Sequence, residues 1–141
     1  MFKVLIVEDD RDLRQLFSRV LTKNGYAVVG ASNGAEALDE MKNSFFDIII
    51  SDVMMPEMDG YEFVRTLREA GDYTPVLMIS AKDAFDDMQT GFSSGSDDYM
   101  IKPVNVNEMV LRVGALLRRS QIANERRITI GSTVLECDSL T

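Results

Sequence analysis

Four short stretches of the chain carry side chains that could do chemistry together. They are the acids Glu8, Asp9 and Asp10, a further acid at Asp52, the hydroxyl of Ser80 and the ammonium of Lys102. Each stands at the end of an apolar run: Val4 to Val7, Ile48 to Ser51, Val76 to Ile79 and Tyr99 to Ile101. Carboxylates gathered in one place repel one another and resist ionisation unless cations offset them, so an ammonium and a divalent ion are the expected compensation. The chain has no His and a single Cys, Cys137. The usual zinc sites, histidine-based triads and an internal disulfide are therefore excluded. The expected ion is hard and oxygen-bound, Mg²⁺ before any transition metal. A carboxylate in such a pocket is equipped to attack phosphorus, since metal and ammonium neutralise the phosphoryl oxygens while a hydroxyl bonds one of them. Asp52 is the central candidate.

Convergence of these groups requires a fold that brings four strand ends to one edge. Between residues 2 and 119 a short apolar run, a turn and a helical period recur five times, the second run being Tyr26 to Ala31. Most runs are near-continuous rather than alternating, as in strands buried on both faces of a parallel sheet. Leu13, Leu16, Phe17, Val20 and Leu21 follow helical spacing, and Gly25 stands where a helix would end. The second helix is expected over Gly34 to Lys42, the third over Tyr61 to Ala70, and the fourth, poor in helix formers, from Asp83 to about Ser94. The fifth opens on a capping box, Asn105 to Glu108, and continues through Met109, Val110, Val113, Leu116 and Leu117. Five such units with right-handed crossovers predict an α/β, flavodoxin-like doubly wound parallel sheet of order 2-1-3-4-5 between two helical layers. In that order the strand bearing Asp52 is central, between those ending in Asp9 and Ser80.

Composition agrees with a folded, non-membrane chain. Of 141 residues, 45% are hydrophobic and 27% charged, which excludes disorder as the main state. The formal charge of −8, with no basic arm, makes these residues poor ligands for a phosphate backbone. No apolar run suits a signal peptide or a membrane span, so the expected location is the cytoplasm. The repeating pattern stops after Arg119. Residues 120–141 are expected to be a linker followed by two short strands, Ile128 to Ile130 and Val134 to Leu135, too little for an independent domain.

Taken together, Val4-Leu-Ile-Val-Glu8-Asp9-Asp10, Asp47-Ile-Ile-Ile-Ser-Asp52-Val-Met-Met-Pro56-Glu-Met-Asp-Gly60, Ser80-Ala81 and Gly95-Ser-Asp-Asp-Tyr99-Met-Ile-Lys102-Pro103 resemble a response-regulator receiver domain of two-component signalling. The resemblance covers residues 2 to 119. It implies that Asp52 accepts a phosphoryl group from a histidine of a partner kinase. It further implies that Glu8, Asp9, Asp52 and the Met54 carbonyl hold Mg²⁺, that Ser80 and Lys102 grip the phosphoryl group, and that Tyr99 is an aromatic switch. Such a protein is a signalling switch rather than an enzyme, catalysing only its own phosphorylation and slow dephosphorylation. A cis Lys102–Pro103 bond is implied as well. Met54 and Lys82 lie where water would approach and so would tune hydrolysis. Leu117-Arg118-Arg119, with the segment after Ile128, resembles the junction in OmpR/PhoB-type regulators, so a winged-helix DNA-binding domain is expected beyond a receiver of residues 1–119. The alternative is a stand-alone receiver. Dimerisation through the fourth helix, fifth strand and fifth helix is implied, with Asp97, Asp98, Glu108 and Arg112 keeping part of the usual charge set and Met88, Ser93 and Gly114 departing from it. Two other classes fail on the sequence. A phosphohydrolase of the aspartyl-phosphate type needs an acid where Met54 stands, and a dinucleotide-binding enzyme needs glycines where Glu8 to Asp12 would repel a pyrophosphate.

Overall fold

A computed structural model of the chain describes residues 1–55, 57–81 and 95–134. Five strands, β1 (Lys3–Val7), β2 (Ala27–Ala31), β3 (Ile48–Asp52), β4 (Val76–Ser80) and β5 (Asp98–Ile101), form one parallel sheet in the order β2-β1-β3-β4-β5. The described helices are α1 (Arg11–Lys23), α2 (Gly34–Asn43), α3 (Gly60–Glu69) and α4 (Val106–Val134). The crossover expected over Asp83 to Ser94, with Lys82 before it, and likewise Pro56, fall outside the described residues. So does the tail from Leu135, Cys137 included.

Alternation along each strand divides the core in two. Val4, Ile6, Ile48, Ile50, Leu77 and Ile79 pack with Phe17 and Leu21 of α1 and with Met109, Val113, Leu116 and Leu117 of α4. Leu5, Val7, Ile49, Val76, Met78 and Tyr99 pack on the opposite face with Ala37 of α2 and Phe63, Val64 and Leu67 of α3. Both faces of the sheet are thus covered, which is why the strands read as unbroken apolar runs. The buried stripe of α1 is narrower than its spacing predicts, because Leu16 points outward at 38% exposure.

Helix ends are defined by local chemistry. Asp10 caps α1, its carboxylate accepting from the Asp12 and Leu13 amides at 2.9 and 3.2 Å. At the other end Gly25, at φ +94°, completes a Schellman turn in which the Gly25 amide bonds Thr22 O and the Tyr26 amide bonds Leu21 O. Asn105 caps the last helix through the Glu108 amide at 3.1 Å, while the Glu108 carboxylate is taken by Arg112. Arg68, near the end of α3, gathers Asp72 O, Thr74 O, Gly95 O and the Asp97 carboxylate around one guanidinium, all within 3.0 Å.

One expectation is corrected. The backbone of α4 stays helical through Val134, so Ile128 to Ile130 are not a strand. A strand satisfies its backbone only beside a partner strand, and among the described residues the segment has none, whereas a helix closes its hydrogen bonds within itself. The β-branched residues that suggested a strand do not prevail alone. Among the described residues no helix is long and apolar enough to cross a membrane.

Candidate functional site

Strand register fixes what meets at the carboxyl edge. Val7 is level with Ser51, Asp52 with Ile79, and Ser80 with Ile101, so Glu8, Asp52, Ser80 and Lys102 emerge side by side. The β1 end is tied to β2 by the Glu8 amide on Ala31 O at 3.0 Å, and the β5 end to β4 by the Lys102 amide on Ser80 O at 2.7 Å. Oxygens of Glu8, Asp9 and Asp52 lie within 4.8 Å of one another. Glu8 and Asp52 are 2% and 4% exposed, whereas Asp9 faces solvent. Lys102 Nζ sits 3.0 Å from Asp52 Oδ2 and 3.5 Å from Glu8 Oε1, and the Lys102–Pro103 bond is cis.

Electrostatics follow from this crowding. Glu8 is pushed up to about 7, first by burial and then by the neighbouring Asp52, against the opposing pull of the Asp10 amide on Oε2 at 3.0 Å and of Lys102. For Lys102 burial works against the charge, but its bonds to Asp52 and Glu8 outweigh it and hold the ammonium above its ordinary value. Two carboxylates, Glu8 and Asp52, therefore share one ammonium, and the Asp9 carboxylate adds a third acid beside them. Such a surplus of hard oxygen donors fits a divalent cation, which Glu8, Asp9 and Asp52 could hold. Met54 contributes its amide, which donates to Asp52 Oδ1 at 3.3 Å, and its side chain is largely exposed.

Ser80 is fully buried at the end of β4. Tyr99 is 5% exposed, its hydroxyl 3.3 Å from that of Tyr61. A family profile described as "Response regulator receiver domain" matches residues 4–114. The chain belongs to the response regulator receiver family. It is a signalling protein, not a metabolic enzyme. This receiver is 43% identical over 118 residues to the response regulator MprA of Mycobacterium sp. (strain KMS), covering 84% of the chain and 51% of that protein. It is 42% identical over 119 residues to MprA of Mycobacterium avium (strain 104), covering 84% and 52%. The chain thus spans about half the length of these curated relatives. Among solved structures, the Francisella response regulator 1452 receiver domain superposes with TM-score 0.82 at 36% identity, covering 85% of this chain and 99% of that one. The Vibrio cholerae chemotaxis protein CheY4 gives 0.78 at 37%, covering 82% and 98%.

Arg14, which no motif points to, and Gly60, which closes the Asp47 to Gly60 motif without a role assigned to it, also pack around these residues. Arg14 of α1 donates to the Glu8 carbonyl at 2.7 Å, its stem lying over Gly30, where an added Cβ would stand 3.0 Å from Arg14 Cδ. Gly60, the first residue of α3, is buried, and its amide donates to Val53 O at 2.8 Å. A Cβ there would collide with the Asp52 carbonyl oxygen. The charges expected to serve dimerisation are engaged within the protomer: Arg112 bonds Asp98 and Glu108, and Arg68 bonds Asp97. Leu111 and Ile101 lie exposed nearby in sequence, at 72% and 37%.

Proposed function

We propose that this receiver is switched by phosphorylation of Asp52, with a sensor histidine kinase as donor. The observation that carries the proposal is the Asp52 carboxylate, buried at the central strand end, 3.0 Å from Lys102 and beside Glu8 and Asp9. An Asp52 oxygen forms the new bond to phosphorus, the phosphorus–nitrogen bond of the donor phosphohistidine breaks, and the imidazole leaves with a proton from solvent. Mg²⁺, held by Glu8, Asp9, Asp52 and the Met54 carbonyl, would supply charge neutralisation on the phosphoryl oxygens. Lys102 takes the remaining negative charge and Ser80 offers its hydroxyl. On the acyl phosphate, the dianion draws Ser80 towards itself and favours Tyr99 packed inward.

Incubation with acetyl phosphate and Mg²⁺ tests the site. The intact mass should rise by one phosphate, and Asp52→Asn should abolish the rise; an adduct that persists in that variant overturns the assignment. The receiver is further proposed to act from the cytoplasm within a longer regulator, residues 1–119 controlling a DNA-binding transcriptional domain. The doubled length of the MprA relatives supports that reading. The gene sequence past the codon for Thr141 decides it: an open frame encoding a basic winged helix is expected, and a stop codon would leave a stand-alone receiver.

A further inference from the structure

We propose that Tyr61 is a positioning residue for Tyr99 and that, with Gly60, it links the phosphoacceptor to the switch tyrosine by way of α3. The proposal rests on the assignment of Asp52 above. The link is short and made of bonded or close-packed neighbours. Asp52 ends β3, and the following residue, Val53, donates its amide to Ile79 O at 2.9 Å and accepts the Gly60 amide at 2.8 Å. Gly60 packs so closely against the Asp52 carbonyl that no side chain fits between them. The first turn of α3 is fixed by Asp59, whose carboxylate accepts the Glu62 amide at 2.8 Å. Tyr61 is the second residue of that turn, and it packs on the same cluster as Met78 and Tyr99. Its hydroxyl meets the Tyr99 hydroxyl at 3.3 Å.

Met78 closes the arrangement. It is paired with Tyr99 across β4 and β5, and its sulfur lies 2.9 Å from where a Gly60 Cβ would stand. The start of α3 therefore touches the Asp52 carbonyl on one side and the Tyr99 environment on the other. A displacement of the Asp52–Val53 turn moves Gly60, and the next residue carries that displacement to the Tyr99 hydroxyl. This route does not pass through Ser80. The Tyr61 hydroxyl favours the inward ring and so biases the receiver towards the arrangement that a phosphoryl group at Asp52 stabilises.

Tyr61→Phe removes the hydroxyl and keeps the ring. With 3-fluorotyrosine incorporated at the four tyrosines, the Tyr99 resonance is assigned by its loss in Tyr99→Phe. In Tyr61→Phe that resonance should move, and the ratio of inward to outward ring should fall on the order of five-fold, the effect of one neutral hydrogen bond. Reciprocally, Tyr99→Phe should move the Tyr61 resonance, which provides the reading if Tyr61→Phe folds poorly. Melting of both single variants and the double variant completes the cycle, and the double variant should lose less than the sum of the two single losses. Losses that simply add, or a Tyr99 resonance unchanged by Tyr61→Phe, would overturn the proposal. Phosphate uptake at Asp52, followed by mass on the same variants, separates the two ideas. Its absence in the parent would remove the functional assignment while leaving the hydroxyl coupling readable in the unmodified protein.

Discussion

Gly60→Ala is the sharpest small perturbation the site offers. An added Cβ would collide with the Asp52 carbonyl oxygen and stand 2.9 Å from Met78 Sδ and 3.0 Å from Val53 Cα. Two of these neighbours are backbone and the third belongs to a fully buried side chain, so none can swing away. Either α3 retreats or the Asp52–Val53 turn is displaced, by roughly 1 Å in order to reach ordinary contact. Overpacking of that kind costs about 1–3 kcal/mol, and the better helix propensity of Ala returns at most ~1 kcal/mol. Melting should therefore fall by ~5 °C. Displacing Asp52, the proposed phosphoacceptor, from its alignment with Lys102 should slow phosphate uptake from acetyl phosphate by ~10- to 100-fold. Gly34→Ala is the control. There the three atoms nearest the added Cβ all belong to the half-buried side chain of Met58, Sδ at 2.8 Å, Cγ at 3.3 Å and Cβ at 3.4 Å, so a flexible side chain rather than backbone has to give way. That variant should lose clearly less stability than Gly60→Ala, about 1 kcal/mol, and take up phosphate at the parental rate. Calorimetry and timed intact-mass spectra read both quantities. A Gly60→Ala protein that melts and phosphorylates like the parent would refute the reasoning.

Other outcomes follow from groups outside that turn. Glu8 titrates at about 7 in the folded, metal-free protein against an ordinary 4.5, so its contribution to stability is fully present below about 4.5 and lost as pH rises through 7. In chelator, Glu8→Gln should melt close to the parent at pH 5 and above it at pH 8, by on the order of 2 kcal/mol; a gap independent of pH would count against the burial of that charge. Arg68→Met leaves Gly95 O, Thr74 O and Asp72 O without their guanidinium partner and should cost ~2–4 kcal/mol in denaturant unfolding, with parental stability as the contrary result. A dimer of the activated protein through β5 and α4 should bury Leu111, 72% exposed in the single chain. Sedimentation with beryllofluoride should show Leu111→Lys staying monomeric where the parent associates; equal association of both would place the interface elsewhere.

What the sequence reveals and what it conceals divide along physical lines. The strands are legible because sheet faces covered on both sides demand unbroken apolar runs, and the level strand ends then follow from topology. The acids, Ser80 and Lys102 could therefore be placed on one edge from their positions alone. Arg14, Tyr61 and Arg68 were not legible, because a polar residue on a helix looks like a solvated face until its tertiary partner is known. Arg14 reaches Glu8 only over the bare backbone of Gly30, and Tyr61 meets Tyr99 only once α3 and β5 lie side by side. As helix caps Asp9 and Asp10 were interchangeable in sequence, and the geometry of the first turn of α1 selects Asp10, leaving the Asp9 carboxylate beside those of Glu8 and Asp52. At Ile128 local preference misled, since β-branched residues need a neighbouring strand to express it.

The cluster of carbonyls around Arg68 bears on how this protein could be altered. The carboxyl end of β4 and the residues that lead into β5 are fastened by separate sets of bonds. Ser80 O is fastened to Lys102, and Gly95 and Asp97 are fastened to Arg68, with Asp97 also holding the Val76 amide at 2.9 Å. The register that sets Ser80 beside Lys102 is therefore held at both edges of β4 and β5, so loosening Arg68 would be felt at the acidic pocket through the strands themselves.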